Sequence, residues 1–210
     1  MGNIKGYCRP DFIEIQNIFA DSITSGHETG ASIAIEHKGE MIVDLYGGYK
    51  DAAKNIPWEK DTLVNVFSVT KGVTATCISR LIDQGKLDPD MRVGHYWPEY
   101  SCNGKEDTKV SDLLCHRAAM FGFKDGYPVC SWNDWGVFVK ALESQKPYYK
   151  PGSSQGYHAL TFSWLVGEIF RRAEGRMVGD YFREEIASPF NLDFKSKACI
   201  VICHLSFSLV

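Results

Sequence analysis

Two periods of apolar and polar residues divide the chain. Residues 10–25 put Phe12, Ile15, Ile18, Phe19 and Ile23 at helical spacing, with Gly26 as a stop. Residues 31–37 and 41–46 are β-rich runs flanking Lys38-Gly39-Glu40, which predicts a β-hairpin ended by Gly47-Gly48. After an irregular stretch at 50–63, a second helix is expected from Ser68, with Val69, Val73, Cys77, Ile78, Leu81 and Ile82 on one side and Gly85 closing it.

Beyond a Pro- and Gly-containing connector at 87–94, the helical period returns. A short helix is expected over 111–116 with Ser111 as its cap. Another runs to about Ser144, with Ser131 as cap and Asp134 three residues on. A strongly apolar helix is expected from Ala159 to Ala173, closed by Gly175, and a last one over about 176–187 before Pro189. In the tail, Leu205, Phe207 and Leu209 alternate with Ser206 and Ser208, the pattern of a strand. Helix, hairpin, then mostly helices is a mixed α/β, or α+β, order.

Composition narrows the function classes. At 210 residues the chain is one large domain or two small ones, and 44% hydrophobic residues supply a core. A net charge of -3 offers no basic surface, so nucleic acid is not expected as a partner. No run approaches the roughly 20 apolar residues of a membrane span. Seven cysteines without a CxxC pair, and an N-terminus without an apolar signal segment, point to a reduced compartment, cytoplasmic or mitochondrial.

Candidate chemistry begins at Ser68-Val-Thr-Lys71. Of sixteen serines, this one alone has lysine three residues on, and on a helix the two share a face. Lysine can take the proton that makes serine a nucleophile, and a helix start turns N–H groups toward an oxyanion. The same spacing also fits a capping serine beside a solvated lysine. Tyr157 is a second candidate, a proton relay if nearby lysine charge lowers its phenol, or else an aromatic packed at a helix start. Gly152-Ser-Ser-Gln-Gly156 matches the G-x-S-x-G elbow of α/β-hydrolases around Ser154, but the Pro-containing stretch before it is a poor strand. His27, His37, His95, His116, His158 and His204 show no ligand spacing, and Cys199, Cys203 and His204 would not converge on a strand, so neither metal nor cofactor is expected. There is no Walker A or G-x-G-x-x-G segment.

Taken together, Phe67–Gly72, Leu81–Leu87, Val110–Ala118, Pro151-Gly152 and Gly156–Phe162 resemble the serine β-lactamase-related family, which includes class C β-lactamases, DD-peptidases and SxxK esterases. The likeness extends to the β-lactamase domain-containing proteins of animals and runs from about residue 10 to 194. It implies a β-lactamase/transpeptidase-like fold with a helical part and an antiparallel sheet. It also implies Ser68 as acylated nucleophile, Lys71 as general base and Tyr157 as proton shuttle, acting on an ester or amide. Where the family's β-lactamases read Tyr-x-Asn, this chain reads Tyr157-His158-Ala159, which favours an esterase over a β-lactamase.

The family's third motif, Lys/His-Thr/Ser-Gly on a central strand, supplies a second oxyanion N–H, and residues 160–210 contain no such tripeptide. The expectation is therefore a C-terminally truncated chain. Residues 1–194 would be the N-terminal and helical portion of the domain, with the hairpin left nearly alone, and 195–210 a divergent apolar tail. Two functions follow. One is a serine hydrolase working through an acyl-enzyme on Ser68. The other is an inactive form that binds or regulates, as a homo-oligomer or paired with a full-length relative.

Overall fold

A computed structural model describes residues 3–127, 131 and 134–194, so the expected tail strand lies outside the described residues. The chain divides into two compact units, 1–65 and 66–210.

The first unit is a three-stranded antiparallel sheet with one helix. Strands β2 (Gly30–His37) and β3 (Glu40–Gly48) form the expected hairpin, turning at Lys38 (φ 54°) and Gly39 (φ 80°). The hairpin is not alone. Residues Ile4–Cys8 form β1, which pairs with the other edge of β3 and gives the order β1-β3-β2. Ile4-Lys-Gly-Tyr-Cys8 has no clean alternation, which hid this strand, and its place is decided by a close approach instead. A Cβ on Gly6, at φ +115°, would fall 1.9 Å from the Asp44 carbonyl oxygen. Helix α1 (Ile13–Thr24) follows a short 3₁₀ turn at Pro10–Phe12, and its Phe19 and Ile23 pack with Ile42, Val43 and Leu45 of β3.

The second unit is helical and built around α6 (Thr161–Glu174). Every residue from Thr161 to Phe170 is buried, including the polar Thr161 and Ser163 and the charged Glu168. Helices α2 (Val69–Asp83), α3 (Val93–Tyr96), α4 (Val110–Leu114), α5 (Trp135–Ser144) and α7 (Val178–Phe182) all touch it. Trp97, Phe138, Trp164, Leu165, Ile169, Phe170 and Tyr181 are the bulk of one continuous core.

Several boundaries differ from the expected ones. Val69 points to solvent rather than to the core, and the buried stripe of α2 is Thr74, Cys77, Ile78 and Leu81. Ser111 does not cap α4, which starts one residue earlier with Lys109 at the cap position and Asp112 accepting the Lys109 N–H at 3.0 Å. Asp134, not Ser131, caps α5, its carboxylate accepting the Val137 N–H. The connector before residue 110 holds α3 and a 3₁₀ turn at Pro98–Tyr100, both too short to show a period. The last expected helix is α7 followed by a wider π turn at Arg183–Ala187.

Candidate active site

Ser68 stands at the cap position of α2, with Phe67 before it in the left-handed region at φ 43°. That conformation is costly for a side chain with a Cβ. Ser68 does not cap through its hydroxyl. The turn's hydrogen bonds run from the N–H groups of Val69, Thr70 and Lys71 to the carbonyls of Val66, Phe67 and Ser68. The Ser68 hydroxyl is exposed and faces two other groups. Lys71 Nζ is 3.3 Å from Ser68 Oγ, and Tyr157 Oη is 2.8 Å from it.

The helical spacing of Ser68 and Lys71 accounts for the first contact. Lys71 Nζ also donates to the Ala159 carbonyl at 2.9 Å and lies over the rings of Tyr157 and Phe162 at 5.1 and 5.7 Å. Among the described residues no carboxylate pairs with it. A carbonyl and two ring faces hold the amine in place without adding a full negative charge.

Tyr157 comes from a loop that is zipped onto the segment after α4. The Tyr148, Gly152 and Gly156 N–H groups donate to the carbonyls of Ala119, Arg117 and His116, and Gln155 Nε2 donates to the Cys115 carbonyl. Two residues of the receiving segment, His116 (φ 60°) and Ala119 (φ 56°), are left-handed as well. Gly156 is required for close packing, since a Cβ there would come within 2.9 Å of Phe121 Cδ1 and Tyr149 Oη. The hydrogen bond to Ser68 and the nearby Lys71 ammonium lower the Tyr157 phenol against a smaller opposing effect of burial. Both partners of Tyr157 thus favour its phenolate.

Two histidines adjoin this group. His116 packs against Tyr157 at a tilt of 59°, with ring centroids 4.8 Å apart, and its Nδ1 accepts the His158 N–H at 3.2 Å. Burial, then the Lys71 charge, lowers its pKa. His158 is fully buried and its Nε2 accepts the Met120 N–H at 3.1 Å. Burial first and His116 second push His158 down to about 4, so both rings are neutral near pH 7. Sequence spacing marks neither histidine, because each accepts from a backbone N–H, His158 from one that only the fold brings near.

Ser154 sits in an exposed loop with no strand before it, so the G-x-S-x-G match lacks the strand–turn–helix geometry of a nucleophile elbow. Among the described residues no three His, Cys, Asp or Glu side chains converge as metal ligands. No helix among them is long and apolar enough to cross a membrane.

A serine at a helix start, a lysine one turn on, and a tyrosine brought to the serine by a distant loop converge on one hydroxyl. The Beta-lactamase family model matches residues 15–193, and the chain belongs to that family. The Esterase/beta-lactamase LipL of Mycobacterium tuberculosis is 36% identical over 190 residues, 90% of this chain and 44% of LipL. A crystal structure of a family VIII carboxylesterase aligns with a TM-score of 0.83 at 40% identity, covering 89% of this chain and 51% of that one. A penicillin-binding protein homologue from Caulobacter crescentus aligns at 0.86 and 39% identity, covering 90% and 51%. The chain therefore has the β-lactamase-related fold, and it spans about half the length of the relatives it matches.

Proposed function

We propose that this chain is a serine hydrolase of the esterase branch, acting on small esters through an acyl-enzyme on Ser68. The observation that carries the reading is the convergence of Lys71 Nζ and Tyr157 Oη on Ser68 Oγ, at 3.3 and 2.8 Å. In the first step Lys71, as the uncharged amine left once its ammonium has given a proton to water, takes the Ser68 proton while Ser68 Oγ bonds to the carbonyl carbon. Collapse of the tetrahedral intermediate breaks the bond to the leaving group, which takes a proton through Tyr157. Water then attacks the acyl carbon, gives its proton to the same pair, and Ser68 leaves with its hydroxyl restored. The Ser68 N–H, outside the hydrogen bonds of its own turn, is one candidate donor to the oxyanion.

Exposed Phe67 and Val69 flank Ser68, and exposed Leu160 follows Tyr157-His158-Ala159; they favour an apolar acyl group over a charged peptide. Ala159 stands where a β-lactamase would place its asparagine, and its carbonyl is used by Lys71. Both points support an ester substrate, as does the likeness to LipL and the carboxylesterase. A second reading is a chain that uses the same three residues to bind or regulate without turnover.

The test is acylation of the full chain by a fluorophosphonate and by a p-nitrophenyl ester of a short fatty acid. The hydrolase reading expects a mass adduct on Ser68 that disappears in Ser68→Ala. A chain that is folded by circular dichroism yet forms no adduct with either probe leaves only the second reading.

A further inference from the structure

His116 grips the chain on both sides of Tyr157. Its carbonyl accepts the Gly156 N–H at 3.0 Å, and its Nδ1 accepts the His158 N–H at 3.2 Å. Between those two anchors the imidazole packs against the Tyr157 ring itself, with centroids 4.8 Å apart. On its other sides the imidazole meets Phe162 of α6 at 5.2 Å and His158 at 5.4 Å. The residue is held left-handed, at φ 60°, so its backbone is strained to reach this position.

We propose that His116 is a positioning residue that aims the Tyr157 phenol at Ser68, and that it does so only while its imidazole is neutral. The proposal rests on the hydrolase reading for its effect on rate, but not for its effect on Tyr157.

The requirement for neutrality follows from donor and acceptor roles. A neutral imidazole with its proton on Nε2 offers Nδ1 as the acceptor that the His158 N–H needs. An imidazolium carries N–H on both nitrogens and turns that contact into two opposed donors. The backbone on the far side of Tyr157 would then lose its anchor, and the ring would shift from Ser68. Displacements of about 1 Å at such a site can cost roughly a hundredfold in rate.

The surroundings keep the neutral form in place. Lys71 faces His116 from α2, and its ammonium disfavours a second cation. Tyr157 and His158 face it from the loop, the latter itself pushed down to about 4. Phe162 contributes only an apolar ring. On the His116 segment, Arg117 is committed to the Gly152 carbonyl and lies near Asp112. None of the facing groups is a carboxylate that would stabilise the imidazolium.

The experiment compares wild type with His116→Phe, which keeps a ring but no acceptor, and His116→Asn, whose carboxamide oxygen replaces Nδ1 and cannot be charged. The first measurement is independent of catalysis. Tyrosine labelled with ¹³C at Cζ, assigned through Tyr157→Phe, is followed by NMR from pH 8 downward. The Tyr157 signal is expected to show an inflection below pH 6.5 that is absent from His116→Asn. The second is the rate of Ser68 labelling by the fluorophosphonate. His116→Phe should be slower by at least about tenfold at pH 8, and His116→Asn should recover most of that loss without the acid limb of wild type.

An inflection unchanged in His116→Asn, or none in wild type, overturns the proposal. So does a His116→Phe chain that labels at the wild-type rate with the wild-type pH profile. If wild type shows the His116-dependent inflection but no labelling, the positioning role stands and the hydrolase reading falls.

Discussion

Tyr157 Oη and Ser68 Oγ are 2.8 Å apart although 89 residues separate them in the chain. Lys71 Nζ, one helical turn from Ser68, reaches the same oxygen at 3.3 Å and carries a positive charge over the Tyr157 ring. The serine oxygen thus has two hydrogen-bonding neighbours rather than lysine alone.

Tyr157→Phe keeps the ring and removes only the hydroxyl. Packing against His116 should survive, so far-UV circular dichroism should be unchanged. The rate of Ser68 acylation by a p-nitrophenyl ester should fall by roughly a hundred- to ten-thousandfold, the contribution of one positioned acid–base group. A rate within a factor of about three of wild type would remove Tyr157 from the chemistry and leave it as packing.

Gly6→Ala tests the strand that the sequence pattern did not predict. A Cβ at this position would lie 1.9 Å from the Asp44 carbonyl oxygen, and φ +115° suits only glycine. The clash is with backbone of β3, which cannot yield locally. The expected cost is at least about 2 kcal/mol in urea unfolding. Amide exchange should quicken along Ile4–Cys8, with β2 and β3 less affected because their pairing does not involve Gly6.

What was legible in sequence tracks how local the cause is. The hairpin at Lys38-Gly39 and the helices over Ser68–Ile82 and Ala159–Ala173 rest on turns and periods within a few residues, and their observed counterparts differ by only a residue or two at most ends. β1 has no local signature, because Ile4–Cys8 is a strand only by virtue of β3. Residue type alone points to Ser111 and Ser131 as caps, while the backbone puts Lys109 and Asp134 in those positions. Ser68 and Lys71 could be paired from helical spacing alone. Tyr157 could be joined to them only through the family resemblance, because its approach depends on the loop bonded to residues 115–119. His116 lay within the family-like stretch Val110–Ala118, but nothing about its neighbours in sequence indicated that its ring would meet Tyr157.

His158 makes stability depend on pH. Its pKa of about 4 lies well below the ordinary imidazole value of 6.5, because a buried ring beside His116 resists charging. Between those two values the unfolded chain binds more protons than the native one, so stability is full above about pH 6.5 and falls as the pH drops toward 4. Over that window the loss from this residue is about 3 kcal/mol. Urea titrations from pH 7 to pH 4.5 should show it. His158→Gln, which can still accept from the Met120 N–H without titrating, should give a flatter profile than wild type. Parallel pH profiles for the two chains would contradict this assignment.

Glu168 is the buried charge on which the packing of α6 against α5 depends. Its side chain is 1% exposed, and its two oxygens accept from Arg171, Arg172 and Trp135 Nε1 at 2.7–2.9 Å. Burial alone would raise this carboxyl, but the hydrogen bonds from Arg171, Trp135 and Arg172 outweigh it and leave the pKa below the ordinary value. Glu168→Ala removes the acceptor from all three donors at once. Breaking a buried ion pair from one side costs about 3–5 kcal/mol. Here the arginines retain solvent, with Arg171 44% and Arg172 21% exposed, so about 2–3 kcal/mol is expected. Glu168→Gln should lie between Ala and wild type, because an amide oxygen can still accept from Trp135 while the charge is lost. The check is the urea midpoint together with tryptophan fluorescence, since Trp135 loses its partner in Glu168→Ala and keeps it in Glu168→Gln. Equal midpoints for Ala and wild type would mean that the arginines, and not Glu168, hold this end of the helix.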